Sequence, residues 1–79
     1  MPQVRVQLFA QLRELRGTSE LQLDVAEGAT AAETFAALFG DTPLAKLPVG
    51  FAVNANYVEP AHVLSDGDDL VFIPPIGGG

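Results

Sequence analysis

Three observations predict an α+β domain. Val4, Val6 and Leu8 alternate with Arg5 and Gln7, the period of a half-buried strand. Ala32, Phe35, Ala36, Leu38 and Phe39 instead follow the helical period, as one apolar stripe behind a capping sequence. Strand and helix patterns then mix along the chain without regular βαβ alternation, which places a main helix across one face of a sheet. With 79 residues there is room for one small domain, near the lower limit for a core without staples.

The elements follow in order. After the first strand, Leu12 and Leu15 fall at helical spacing between Gln11 and Arg16, and Gly17 supplies a stop. So short a helix depends on packing more than on propensity. Leu21, Leu23 and Val25 alternate with Gln22 and Asp24 in a second strand that ends at Glu27-Gly28. Thr30-Ala31-Ala32-Glu33 has the form of a capping box that opens the main helix, and Gly40 closes it. The stretch from Asp41 to Pro48 carries two prolines and reads as a loop. Phe51-Ala52-Val53 is a third strand. Asn54-Ala55-Asn56 is a tight turn, since Asn tolerates positive φ, and Tyr57-Val58 a short fourth strand. After a turn at Ser65-Asp66-Gly67-Asp68, Leu70 to Ile73 form the last strand, apolar at consecutive positions. Such a strand fits a central place next to the first. That is the ubiquitin-like β-grasp arrangement, and fold alone assigns no function.

Composition excludes several functions. The chain is 48% hydrophobic and 18% charged, so it packs rather than remaining disordered. A formal net charge of -6 disfavours nucleic acid and anionic membranes and favours a basic protein surface. There is no cysteine, which removes disulfides and thiolate metal sites. No apolar stretch has the length of a membrane span and the first residues do not begin a signal peptide, so a cytoplasmic location is expected.

The last residues, Pro74-Pro75-Ile76-Gly77-Gly78-Gly79, are the most informative. At a glycine frequency of about 7%, three in a row at a set place arise by chance roughly three times in ten thousand. Glycines without Cβ atoms pass through channels too narrow for side chains, and two prolines hold a tail away from the body. The expected division is a domain over residues 1–76 and a flexible glycine tail over 77–79. The working group of that tail is the α-carboxylate of Gly79.

Three segments resemble the small subunit of molybdopterin synthase, within the ubiquitin-like sulfur-carrier family. They are Leu8 to Gly17 (with the Phe9-Ala10-Gln11-Leu12-Arg13-Glu14 run), Phe51 to Val58, and Leu64 to Gly79. The family tail commonly has a small residue other than glycine before its final pair. Gly77 adds a third here, so the matched pair is Gly78 and Gly79.

The resemblance implies a chemistry. A carboxylate is a poor electrophile and must be activated. A ubiquitin-activating-like adenylyltransferase would join Gly79 to the AMP of ATP, with magnesium neutralising the phosphates. A sulfur donor, such as a cysteine desulfurase or a rhodanese-like protein, would convert the adenylate to a thiocarboxylate. Inside the large catalytic subunit of the synthase, that sulfur would pass to cyclic pyranopterin monophosphate, on the way to the molybdenum cofactor. Gly78 would allow threading. The chain itself would bind no cofactor or metal and would be a non-catalytic subunit.

Other residues read as structural. His62 stands alone and reads as a surface or hydrogen-bonding histidine. Asp66, Asp68 and Asp69 lack the remaining ligands of a calcium loop and read as a turn with solvated carboxylates. Arg13 and Arg16 read as a solvated helix face, and Phe35 and Phe39 as core. Phe72 and its apolar neighbours exceed what one core face of a strand requires, which predicts a docking patch ringed by acidic residues. Two rival functions share the tail chemistry: a sulfur carrier for thiazole, thiolated tRNA or cysteine synthesis, and a ubiquitin-like modifier joined to lysines.

Overall fold

A computed structural model describes residues 1–75. β1 (Gln3–Gln7), α1 (Ala10–Arg16), β2 (Glu20–Asp24), α2 (Ala31–Phe39), β3 (Gly50–Val53), β4 (Asn56–Val58) and β5 (Asp69–Ile73) occur in the predicted order. Five strands form one mixed sheet in the order β2-β1-β5-β3-β4. The central β5 runs parallel to β1 and antiparallel to β3, which is the β-grasp arrangement. The predicted tail, Gly77 to Gly79, lies outside the described residues.

Alternation decides which face of the sheet is covered. Val4, Val6, Phe51, Val53, Leu70 and Phe72 point to one side and are buried there. Phe35, Leu38 and Phe39 of α2 pack on them. Phe35 meets Phe72 edge to face with ring centroids 5.1 Å apart, and Phe51 meets Phe72 in the same way at 5.8 Å. These T-shaped pairs set the positive edge of one ring against the negative face of another. Phe72 has no exposed surface, so it is the centre of the core and not of a docking patch. The apolar surplus of β5 is Val71 and Ile73, which point to the opposite face.

Two helical stripes differ from expectation. Ala36 is exposed while Ala31 and Thr34 are buried, because the stripe of α2 is centred between Phe35 and Leu38 and Ala36 turns away from it. Leu12 is the one buried residue of the two-turn α1, and Leu15 is 45% exposed.

Each end of α2 is closed by named groups. The Thr30 hydroxyl accepts from the Glu33 N–H at 3.1 Å, and the Glu33 carboxylate accepts from the Thr30 N–H at 2.9 Å. The Ala31 and Ala32 N–H groups donate to the carbonyls of His62 and Pro60, each at 3.0 Å. The first-turn donors that a helix otherwise leaves orphaned are therefore satisfied. Gly40 closes the helix with a right-handed backbone, φ -61°. A Cβ there would run into the Ala36 carbonyl oxygen. Gly17 is the left-handed cap of α1, φ 75°, with its N–H on the Arg13 carbonyl.

Candidate functional site

The outer face of the sheet, opposite α2, divides into two halves. On β1 and β2 it carries Gln3, Arg5 and Gln7 opposite Asp24, Gln22 and Glu20. On β5, β3 and β4 it carries Val71 and Ile73, then Ala52, then Tyr57, since Val71 pairs with Ala52 and Ala52 with Tyr57. Beyond Asp69, which Arg5 and Gln7 hold at the boundary with the first half, the second half is apolar.

This apolar half continues to the end of β5, where the predicted tail begins. An open groove of about 650 Å³ is lined there by Phe9, Ala10, Gln11, Tyr57, Ile73, Pro74 and Pro75. Tyr57 is 84% exposed and Phe9 47% exposed. Local chemistry places both. Asn54 and Ala55 have φ of 52° and 72°, and Val53 pairs with Asn56, so β3 and β4 join through a two-residue turn of the primed kind. That turn fixes the register and so sends Tyr57 outward, opposite Ala52. Phe9 precedes α1 in an extended conformation, and its carbonyl accepts from the Leu12 N–H at 3.1 Å. Ala10 follows with φ 50°, a left-handed conformation that costs a non-glycine residue roughly 1–2 kcal/mol. Among the described residues no charged side chain lines the groove.

The remaining candidates are placed as follows. The Asp66 carboxylate accepts from the Gln3 N–H at 2.8 Å, and Asp68 accepts from the Ser65 N–H at 2.7 Å and the Asn54 amide at 3.0 Å. Asp69 accepts from Arg5 at 2.8 Å and from Gln7 at 3.0 Å. These carboxylates are tied into the strand ends rather than merely solvated. Among the described residues no three His, Asp or Glu side chains gather as a metal site. His62 is exposed, and its backbone rather than its ring joins the start of α2. Arg13 and Arg16 are exposed on α1, and Phe35 and Phe39 are buried. Gly78 and Gly79 lie outside the described residues, and Pro74 and Pro75 are the last described residues that line the groove. No described helix is long and apolar enough to cross a membrane.

Phe9 and Tyr57 are surface residues that no local sequence pattern singles out. The parity of Tyr57 across the Asn54-Ala55 turn was the available signal, because it sets Tyr57 on the face away from Phe51.

Known proteins share the fold. The molybdopterin synthase sulfur carrier subunit of Chlamydomonas reinhardtii is 35% identical over 83 residues, covering 98% of this chain and 99% of that one. A solved structure described as molybdopterin converting factor, subunit 1, from Pyrococcus furiosus matches with a TM-score of 0.82 at 26% identity, over 96% of this chain and 100% of the other. In the protein–protein complex of subunits 1 and 2 of the molybdopterin-converting factor from Helicobacter pylori 26695, one chain matches with a TM-score of 0.65. Identity there is 21%, over 98% of this chain and 99% of that one, so the likeness is one of fold. The model of the ThiS family matches residues 6–79. This chain belongs to the ThiS family.

Proposed function

We propose that this protein is the sulfur-carrying small subunit of a molybdopterin synthase. The observation that carries the reading is the coincidence of two features. An exposed apolar groove sits at the base of the predicted tail, and the family match continues through that tail to Gly79.

In this reading the body docks and the tail does the chemistry. The Gly79 carboxylate attacks the α-phosphorus of ATP in a separate adenylyltransferase, and pyrophosphate leaves. The terminal sulfur of the donor's persulfide then attacks the acyl carbon and AMP leaves with the bonding electrons; a second thiol reduces the resulting acyl disulfide, so that a thiocarboxylate remains here and a disulfide on the donor side. It is ionised at neutral pH and reaches where a cysteine side chain does not. The groove formed by Phe9, Tyr57 and Ile73 holds a large subunit, into which the tail delivers sulfur to cyclic pyranopterin monophosphate. Cofactors and metal belong to the partners: ATP and magnesium to the activating enzyme, and the sulfur to a desulfurase or rhodanese-like donor. In this reading the steps take place in the cytoplasm.

Intact-protein mass after co-expression with an adenylyltransferase and a sulfur donor tests the proposal. One sulfur replacing one oxygen on this chain supports it, provided the product then sulfurates cyclic pyranopterin monophosphate with a large subunit. Thiocarboxylate that serves only another acceptor moves the protein to a different pathway. Covalent adducts of Gly79 on lysines, without thiocarboxylate, make it a modifier.

A further inference from the structure

β2 lies at an edge of the sheet, and among the described residues β1 is its one neighbour. The ladder fixes which of its amides face outward. The Leu8 N–H donates to the Ser19 carbonyl at 2.9 Å, and the Val25 N–H donates to the Pro2 carbonyl at 2.8 Å. In that register Leu21 and Leu23 turn their backbone groups toward β1, while Glu20, Gln22 and Asp24 turn theirs to the open edge. Thr18 closes off Glu20: its hydroxyl donates to the Glu20 carbonyl at 3.0 Å and accepts from the Glu20 N–H at 3.3 Å. Gln22 and Asp24 keep their N–H and C=O groups outward, as a short template for another strand.

A groove of about 560 Å³ lies between this edge and α2, lined by Leu23, Val25 and Ala37 together with Asp24, Glu27 and Glu33. A strand pairing with Gln22 and Asp24 continues the pleat. Its inner-face side chains then fall beyond Leu23, over this groove.

Charge selects the occupant. Two copies of β2 paired antiparallel about Gln22 would set Glu20 of each opposite Asp24 of the other, and like charges directly opposite are destabilising. No arginine or lysine lines the groove. We propose that the β2–α2 groove receives a short basic strand of a partner protein by strand addition. Its β-branched side chains, at alternate positions, enter the groove, and its flanking lysines or arginines meet Asp24, Glu27 and Glu33. Asp24 pairs with Gln3 at the start of β1, whereas the tail follows the far end of the parallel β5. The site is thus at the opposite end of the sheet from Pro74 and Pro75 and stays open while the tail is engaged. The proposal is independent of sulfur carriage.

The test is titration of the isotopically labelled full chain with the blocked peptide Lys-Lys-Val-Thr-Val-Thr-Val-Lys-Lys. Saturable amide shifts centred on Gln22, Asp24, Val25 and Ala37 are expected. N-methylation of the peptide's pairing amides should weaken binding by about tenfold or more, as loss of the backbone bonds requires. Ala37 is exposed, so Ala37→Arg should keep the melting temperature and weaken binding similarly. The double variant Asp24→Lys/Glu27→Lys, which reverses the rim, should do the same. Shifts centred on any other surface, unchanged binding of the N-methylated peptide, or no saturable binding would overturn the proposal.

Discussion

Arg5 and Asp69, register partners on the parallel strands β1 and β5, join guanidinium to carboxylate at 2.8 Å. The pair ties the first strand to the last at the centre of the sheet, and Gln7 adds a second donor to the same carboxylate at 3.0 Å. The Arg5 hydrogen bond holds the Asp69 carboxyl below the ordinary carboxylate range, against its partial burial and with help from Gln7. A carboxyl with a depressed folded pKa stabilises the fold above its unfolded value, about 3.9, and loses that contribution as pH falls through the folded value. Asp69→Asn should therefore lower the melting temperature at pH 7 and lessen the decline in stability below about pH 4. Thermal melts of both proteins from pH 7 to pH 2 check this. Parallel curves would show that the pair contributes no pH dependence.

Ala55 should be replaceable with gain. Both turn residues have positive φ, Asn54 at 52° and Ala55 at 72°, and Asn-Gly is the pair that such a turn prefers. Ala55→Gly relieves roughly 1–2 kcal/mol of Cβ strain against about 0.4–1 kcal/mol of added unfolded-state entropy, and should stabilise the domain by up to about 1 kcal/mol. Chemical denaturation measures it, and a destabilised variant would contradict the turn assignment.

Local patterns made most of the fold legible. Thr30 and Glu33 announced the capping box, Gly17 the end of α1, and Asn54 the hairpin turn. Phe72 was misread because Leu70 to Ile73 are apolar on both faces. Only Phe35 and Phe39, arriving on α2, decide that Leu70 and Phe72 face the core. The Asn54 amide donates to Asp68 and accepts from the Asp69 N–H, at 3.0 Å each; these bonds join residues far apart in sequence and have no local signal. The groove of Phe9, Tyr57 and Pro75 escaped for the same reason: three separate segments meet there only in the fold.

Gly79 is expected to be the acylated residue, since its carboxylate is the group that ATP can activate. Deleting Gly79, or adding a residue after it, should leave the melting temperature unchanged and abolish sulfur transfer. An extended chain that supports molybdopterin formation without being trimmed would refute this.

Gly78 is expected to serve threading rather than folding. Among the described residues the hydrophobic core runs from Val4 to Phe72. Gly78→Val should keep the melting temperature and reduce adenylation or sulfur transfer by at least about tenfold, through a Cβ clash in the partner's channel. Normal turnover by this variant would count against a narrow channel.

Docking should depend on Tyr57 and not directly on Phe72. Tyr57 is 84% exposed in the groove at the base of the tail, whereas Phe72 is enclosed by Phe35, Phe39 and Phe51. Removing an exposed aromatic ring costs the free protein little, but a ring at the centre of an interface commonly contributes about 2 kcal/mol or more. Tyr57→Ala should therefore leave the melting temperature nearly unchanged and weaken binding to the large subunit by roughly thirtyfold. Phe72→Ala should instead lower stability by about 3–5 kcal/mol, because it leaves a cavity among the rings. The net charge of -6 should act at a distance, so added salt should slow association more than it speeds dissociation. Binding kinetics with the purified large subunit separate these effects. A chain lacking Gly77 to Gly79 should still bind, and the isolated tail peptide far more weakly, since ordering a free peptide costs entropy for each residue fixed. If the peptide binds as tightly as the whole domain, the groove is no docking site and the fold serves only to carry the tail.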